Sequence, residues 1–187
     1  MTVNFDIHLS DSQQEAYNLV EDNRYKYYAF AWSRQSGKSV LMEVLCIKWL
    51  LEKNNSIAYV CRNYLLAKKI YREIAKLFPS DFTATKNGSS FFIESTFGST
   101  LTFYSAESGS GLRGNTFTHA ILDEFAFFKF EQPDGSHLWN DILSPTLKAK
   151  GKKCIFVSTP LGKQNPFYDM YLRGLTSTSA SVMNTIL

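Results

Sequence analysis

Seven consecutive residues, Ser33-Arg34-Gln35-Ser36-Gly37-Lys38-Ser39, combine small, hydroxyl-bearing and cationic side chains in a pattern suited to holding phosphate. They follow an apolar run, Tyr27 to Trp32, and open a helix-like stretch from Val40 to Leu51. At such a strand-to-helix turn, backbone N–H groups converge on phosphate oxygens. A lysine then reaches the β/γ-phosphates, and a serine hydroxyl ligates Mg²⁺. Here those roles fall to Lys38 and Ser39, with Ser33, Arg34, Gln35, Ser36 and Gly37 forming the cradle. The complementary chemistry lies downstream. Ala120-Ile121-Leu122 reads as a buried strand that ends in two carboxylates, Asp123 and Glu124. The first suits a metal held through water, and the second suits polarisation of an attacking water. A third run, Cys154 to Ser158, carries Ser158-Thr159-Pro160 at its tip.

These three groups meet only if their strands are parallel, because a parallel sheet sends all its strand carboxyl ends to one edge, where ligands bind. The rest of the chain supports that arrangement. Apolar runs alternate with helix-period segments, the pattern of a parallel sheet with crossover helices. Helices are expected over Asp11 to Glu21, Val40 to Leu51, Leu65 to Leu77, Leu138 to Leu147 (broken near Pro145) and from Asn165-Pro166 to Leu172. Strands are expected over Tyr27 to Trp32, Ile57 to Cys61, the acidic run and Cys154 to Ser158. Phe91 to Glu94 and Thr100 to Tyr104 form a β-hairpin about Ser95 to Ser99, and Val182 to Leu187 either frays or adds an edge strand. The fold class is therefore α/β: a RecA-like P-loop nucleotide hydrolase with a mostly parallel central sheet, flanking helices and a small β-hairpin insertion. The order of the motifs places an additional strand between the loop strand and the acidic strand.

One residue departs from the usual G-x-x-x-x-G-K-[ST] pattern: Trp32 stands where the first glycine belongs. Tryptophan does not share the backbone freedom of glycine, so the loop is either a variant of the pattern or a chance match. The glycine-rich segment Gly109 to Gly114 is either a moving part beside the acidic strand or a plain surface connection, and composition favours the connection.

The chain has 187 residues, the size of one domain with a real core, and 44% of them are apolar. A net charge of +3 neither argues for nucleic-acid binding nor opposes it. Cys46, Cys61 and Cys154 are far apart in apolar segments and lack metal-ligand spacing, so buried thiols in a reducing compartment are expected. No basic region followed by an apolar stretch opens the sequence. The most apolar segment is too short to span a bilayer and carries Glu43 and Lys48, so a soluble cytosolic protein without membrane contact is expected.

The motifs together resemble the large subunits of phage terminases of the T4 type. Ser33 to Ser39 is similar to their variant P-loop, in which the early glycine is often missing and an arginine stands in the loop. Leu112-Arg113-Gly114-Asn115 ahead of the acidic strand, and Ser158-Thr159-Pro160-Leu161-Gly162 followed by Phe167-Tyr168-Asp169, resemble further family elements. So does Leu9-Ser10-Asp11-Ser12-Gln13, which is similar to an upstream glutamine motif. The likeness runs from about residue 9 to 174.

The resemblance implies an ATPase domain of a DNA-packaging motor that uses ATP and Mg²⁺. It implies that Gln13 contacts adenine, that Ser39 and Asp123 hold the metal, and that Glu124 is the catalytic carboxylate. It further implies that Arg34 stabilises the γ-phosphate and that Ser158, Thr159 and Pro160 couple hydrolysis to movement. Arg113 is implied as an arginine finger or a DNA-loop contact. The partners it implies are double-stranded DNA, a portal protein, a small terminase subunit and further copies in a homo-oligomeric ring, in the host cytoplasm. Only residues 161–187 follow Pro160, so a C-terminal nuclease domain is not expected in this chain, which reads as a single ATPase domain over 1–187. Two other readings share these motifs: a helicase-like DNA translocase, and a nucleotide-binding or assembly module with little turnover. The cluster Lys148, Lys150, Lys152 and Lys153 either touches DNA or is a solvated turn, the second being commoner.

Overall fold

A computed structural model of the chain describes residues 7–176 and 180–185. The chain runs α1 (Asp11–Glu21), β1 (Tyr27–Trp32), α2 (Lys38–Leu51), β2 (Ser56–Cys61), α3 (Tyr64–Leu77), β3 (Thr83–Asn87), β4 (Phe92–Ser95) and β5 (Thr100–Ser105). It continues through β6 (His119–Asp123), a π-helix (Leu138–Leu143) running into one α-turn, α4 (Ser144–Thr146), then β7 (Lys153–Ser158), α5 (Pro166–Thr176) and β8 (Ala180–Thr185).

The strands form one sheet in the order β3-β4-β5-β2-β6-β7-β1-β8. All pairings from β5 to β8 are parallel, whereas β3, β4 and β5 pair antiparallel. The strand that ends at Ser158 thus lies between the loop strand β1 and the acidic strand β6, and it is the additional strand expected at that place. The expected hairpin is present as β4 and β5, but a further edge strand, β3, makes it a three-stranded meander on the sheet itself.

Strands β2, β6 and β7 are covered on both faces, which is why they read as continuous apolar runs instead of alternating ones. One core cluster joins Tyr28, Phe30, Trp32, Tyr59 and Phe103 to α1, α2 and α3. The other joins Val60, Leu122 and Phe156 to Phe125, Leu138, Trp139 and Phe167. All three cysteines are free and buried within these clusters. Helix α2 buries residues around most of its circumference, including Leu41, Leu45, Trp49 and Leu50, which explains its apolar sequence. The helix expected over 138–147 takes π geometry up to Leu143, with Ser144 N–H bonded to Trp139 O. Pro145 lacks the N–H that would continue an α-ladder there.

Candidate functional site

The phosphate loop leaves β1 at Trp32, which is fully buried in extended backbone. Trp32 needs no left-handed turn, because the loop makes its two left-handed turns later, at Gln35 (φ 61°) and Gly37 (φ 76°). The missing glycine is therefore no obstacle to the path the loop takes. Two features favour glycine at position 37. Its angle favours glycine, and a Cβ there would lie 2.1 Å from Gln13 Nε2.

Gln13 is 6% exposed and carries two duties. Its Oε1 accepts Ser10 N–H at 2.7 Å, closing a capping box at the start of α1, and its Nε2 donates to Gly37 O at 2.9 Å. The structure thus sets Gln13 against the carbonyl side of the phosphate loop.

Lys38 is 8% exposed and opens α2. Its Nζ donates to Ser33 O at 2.9 Å and Thr159 Oγ1 at 3.1 Å, and lies 3.9 Å from Glu124 Oε1. One ammonium thus touches all three motifs that the sequence singles out. Ser36 Oγ also donates to Ser33 O, at 2.8 Å. Ser33 Oγ is buried with no hydrogen-bond partner among the described residues. Ser39 and Arg34 are exposed at the loop surface.

Asp123 ends β6 and is 4% exposed, with its Oδ2 accepting from the buried Tyr59 hydroxyl at 3.1 Å. Burial, followed by the charge of Glu124, pushes its carboxyl up to about 6; Tyr59 and Lys38 oppose the rise. Glu124 sits in left-handed backbone (φ 57°, ψ 42°), a conformation that costs a non-glycine residue about 1 kcal/mol or more. The next residue holds it there. Phe125 is fully buried and packs edge-on against Phe128, Phe130, Trp139 and Phe156. Ala126 N–H donates to Ser158 Oγ at 3.2 Å, and the Ser158 hydroxyl lies 3.4 Å from Glu124 Oε2. Thr159 N–H points to the same oxygen at 3.4 Å. The Ser158-Thr159 tip is therefore bound to the second carboxylate, while Pro160 lies exposed beyond it.

A cleft of about 300 Å³ opens over this edge, lined by Arg34, Arg62, Asn63, Leu66, Glu124, Phe127 and Thr159. A lysine at a loop carbonyl, a carboxylate within reach of it and an arginine over the cleft form an arrangement for binding and cleaving a phosphoanhydride.

The family described as "Terminase large subunit, T4likevirus-type, N-terminal" matches residues 29–183. The chain belongs to this family. It is 31% identical over 163 residues to the terminase large subunit of Escherichia phage T5, covering 86% of this chain and 36% of that protein. It therefore spans little more than a third of that relative's length. Among solved structures it is similar to the large terminase ATPase domain of Thermus phage P74-26 (TM-score 0.75, 20% identity, 95% of this chain and 80% of that one). It is also similar to the large terminase of a thermophilic bacteriophage in complex with ATP-gamma-S (TM-score 0.71, 13% identity, 95% and 44%). The fold is thus the one these terminase domains share.

Within this terminase domain Arg113 stands apart from the cleft. It is exposed, and its Nη2 donates to Asp134 Oδ2 at 2.8 Å and Ser136 Oγ at 2.6 Å. The glycine-rich segment before it is anchored: Gly109 N–H donates to Gln132 Oε1 at 3.1 Å, and a Cβ at 109 would press on Leu138 and Ile142. The lysine cluster divides. Lys153 is buried 3.5 Å from Glu21 and Lys152 donates to Asn55 Oδ1 at 3.1 Å, while Lys148 and Lys150 are exposed. No helix among the described residues is long and apolar enough to cross a membrane. Sequence reasoning missed Tyr59 and Arg62. Arg62 directly follows β2, so the rule that ligands gather at strand carboxyl ends would have found it.

Proposed function

We propose that this chain is the ATPase motor portion of a phage terminase large subunit, hydrolysing ATP to drive double-stranded DNA into a procapsid. The observation that carries the reading is the position of Lys38 Nζ, bonded to Ser33 O and Thr159 Oγ1 and 3.9 Å from Glu124. The loop fits a nucleotide's phosphates: it has a buried hydroxyl without a partner at Ser33, a left-handed glycine, and a lysine held by a single carbonyl and hydroxyl. Ser39 and Asp123 would hold Mg²⁺, which when bound neutralises phosphate charge. Few protein ligands suffice for that ion, because it keeps several waters and takes phosphate oxygens as well.

In this reading Lys38 exchanges Ser33 O for phosphate oxygens. Glu124, its Oε2 steadied by the Ser158-Thr159 tip, orients the attacking water, and movement of that tip reports the change to the sheet edge. Arg34 folds over the γ-phosphate, and Gln13 braces the loop next to adenine. Double-stranded DNA, a portal protein, a small terminase subunit and further copies in a ring are the partners, with Arg113 presented to a neighbour or to DNA. DNA cleavage is not part of the proposal.

Calorimetry with Mg·ATP tests the nucleotide site. Lys38→Ala should weaken binding at least about tenfold, since it removes a charge-assisted contact. Unchanged affinity would overturn the assignment. Steady-state hydrolysis with and without duplex DNA tests the motor function.

A further inference from the structure

Arg62 leaves the sheet directly after β2, at the same edge as Glu124 and Thr159. Its guanidinium carbon lies 5.7 Å from the centroid of the Phe127 ring, in the turn that follows Glu124. Stacking of this kind orients a guanidinium while leaving its N–H fork free. Arg34 faces the same cleft from the phosphate loop. Neither arginine forms an ion pair or a side-chain hydrogen bond among the described residues. Glu124, which lines the same cleft, is engaged by Lys38, Ser158 and Thr159 instead. Two unpaired guanidinium groups on one concave surface repel each other and raise the local positive potential, and an anion between them removes both penalties. A tetrahedral oxyanion matches the forked donors of both groups.

We propose that Arg62 and Arg34 bound a subsite for inorganic phosphate in the cleft that Glu124 and Thr159 also line, beside the nucleotide cradle. The subsite takes the phosphate released by hydrolysis and holds it at the sheet edge before it leaves. Arg62 is thus a phosphate ligand on the product side, distinct from the residues that hold the nucleotide. The proposal rests on the ATPase reading above, and the measurements separate the two.

The experiment is calorimetric titration of the whole chain, first with Mg·ADP and then, once ADP-loaded, with inorganic phosphate. In Arg62→Ala, phosphate affinity should fall about tenfold, the loss of one charged hydrogen-bonded contact, while Mg·ADP affinity stays within about twofold. Arg62→Lys should recover only part of it, because an ammonium lacks the planar fork. Phe127→Leu, which removes the stacking face and keeps the arginine, should give a smaller loss than Arg62→Ala. Unchanged phosphate binding in Arg62→Ala overturns the subsite. Parallel loss of Mg·ADP affinity also overturns it, since that marks a structural role for the residue. Loss of duplex DNA affinity with phosphate binding intact reassigns Arg62 to nucleic acid and overturns it as well. If wild-type protein binds Mg·ADP but not phosphate, the subsite falls and the nucleotide site stands. If it binds neither, both fall.

Discussion

At the amino-terminal edge of the sheet, Lys153 is buried against Glu21, Glu21 also takes Lys48, and Lys48 bonds Glu52 at 2.9 Å. Glu52 in turn accepts from Asn55, whose amide oxygen accepts Lys152. His119 stacks on Trp49 at 4.4 Å, and burial lowers its pKa to about 3, which keeps it neutral. Every charge in that chain has a partner of opposite sign or a hydrogen-bond acceptor. At the carboxyl edge the charges stay open. Arg34 and Arg62 are unpaired among the described residues, Lys38 and Glu124 make only a loose ion pair at 3.9 Å, and Asp123 is buried beside a second carboxylate. The same side-chain types thus serve a closed network at one end of the strands and a receptive one at the other. What differs is how fully the fold supplies the counter-charge, which it does not do for Arg34 and Arg62 among the described residues.

That contrast can be broken first where it should matter most. Glu124→Gln keeps the shape of the carboxyl edge and removes its reactive charge. Turnover should fall about 10³-fold in single-turnover hydrolysis while Mg·ATP affinity changes little, since the lost interaction belongs to the transition state. Wild-type turnover would remove Glu124 from the reaction. If Arg34 has the proposed catalytic role, Arg34→Ala should lower turnover about 10²-fold under saturating ATP, with poor rescue by Arg34→Lys, because a guanidinium over the γ-phosphate would meet charge that develops during transfer. An equal loss of ATP affinity would mean that it binds the ground state instead.

Breaking the closed edge should show up in stability and not in nucleotide binding. Lys153→Ala removes one partner of a largely buried pair, so the urea midpoint should shift by an amount equivalent to about 2 kcal/mol, with Mg·ADP affinity unchanged. A change in nucleotide affinity there would show that the two edges are coupled. The smallest effect lies between the edges. Burial, with Glu73 next to it, raises Glu43 on α2 from an ordinary 4.5 to about 7. The folded state therefore holds this proton more tightly than the unfolded chain does. The resulting stability is present below pH 4.5 and is lost as pH rises through 7. Glu43→Gln should thus stabilise the protein by about 1 kcal/mol at pH 8, after allowance for solvent screening at this half-exposed site, and by nothing near pH 4. Equal gains at both pH values would rule out the charge as the cause.

The central strands were legible because burial on both faces leaves an unbroken apolar run, as in Ala120 to Leu122 and Cys154 to Val157. Strand β3, Thr-Ala-Thr-Lys-Asn, escaped notice since it is an exposed edge with no apolar face to write into the sequence. The convergence of Lys38, Glu124 and Thr159 could be anticipated because a parallel sheet forces it. Arg62 could be placed at that edge by the same rule, since it directly follows β2, but its stacking on Phe127 and the hydroxyl of Tyr59 on Asp123 could not, because both depend on which strands are neighbours and on side-chain direction. Trp32 looked like an objection only because the usual pattern places its first left-handed turn at that point of the loop. Here Gln35 makes the turn.

The double duty of Gln13 gives the domain a mechanical linkage that bypasses the sheet. One amide joins the first turn of α1 to the carbonyl of Gly37, so the amino-terminal helix and the phosphate loop share a side-chain contact that lies outside the strand ladder. Because Gln13 bonds the loop carbonyl directly, a label on α1 would sit one residue contact away from the phosphate loop and outside the cleft.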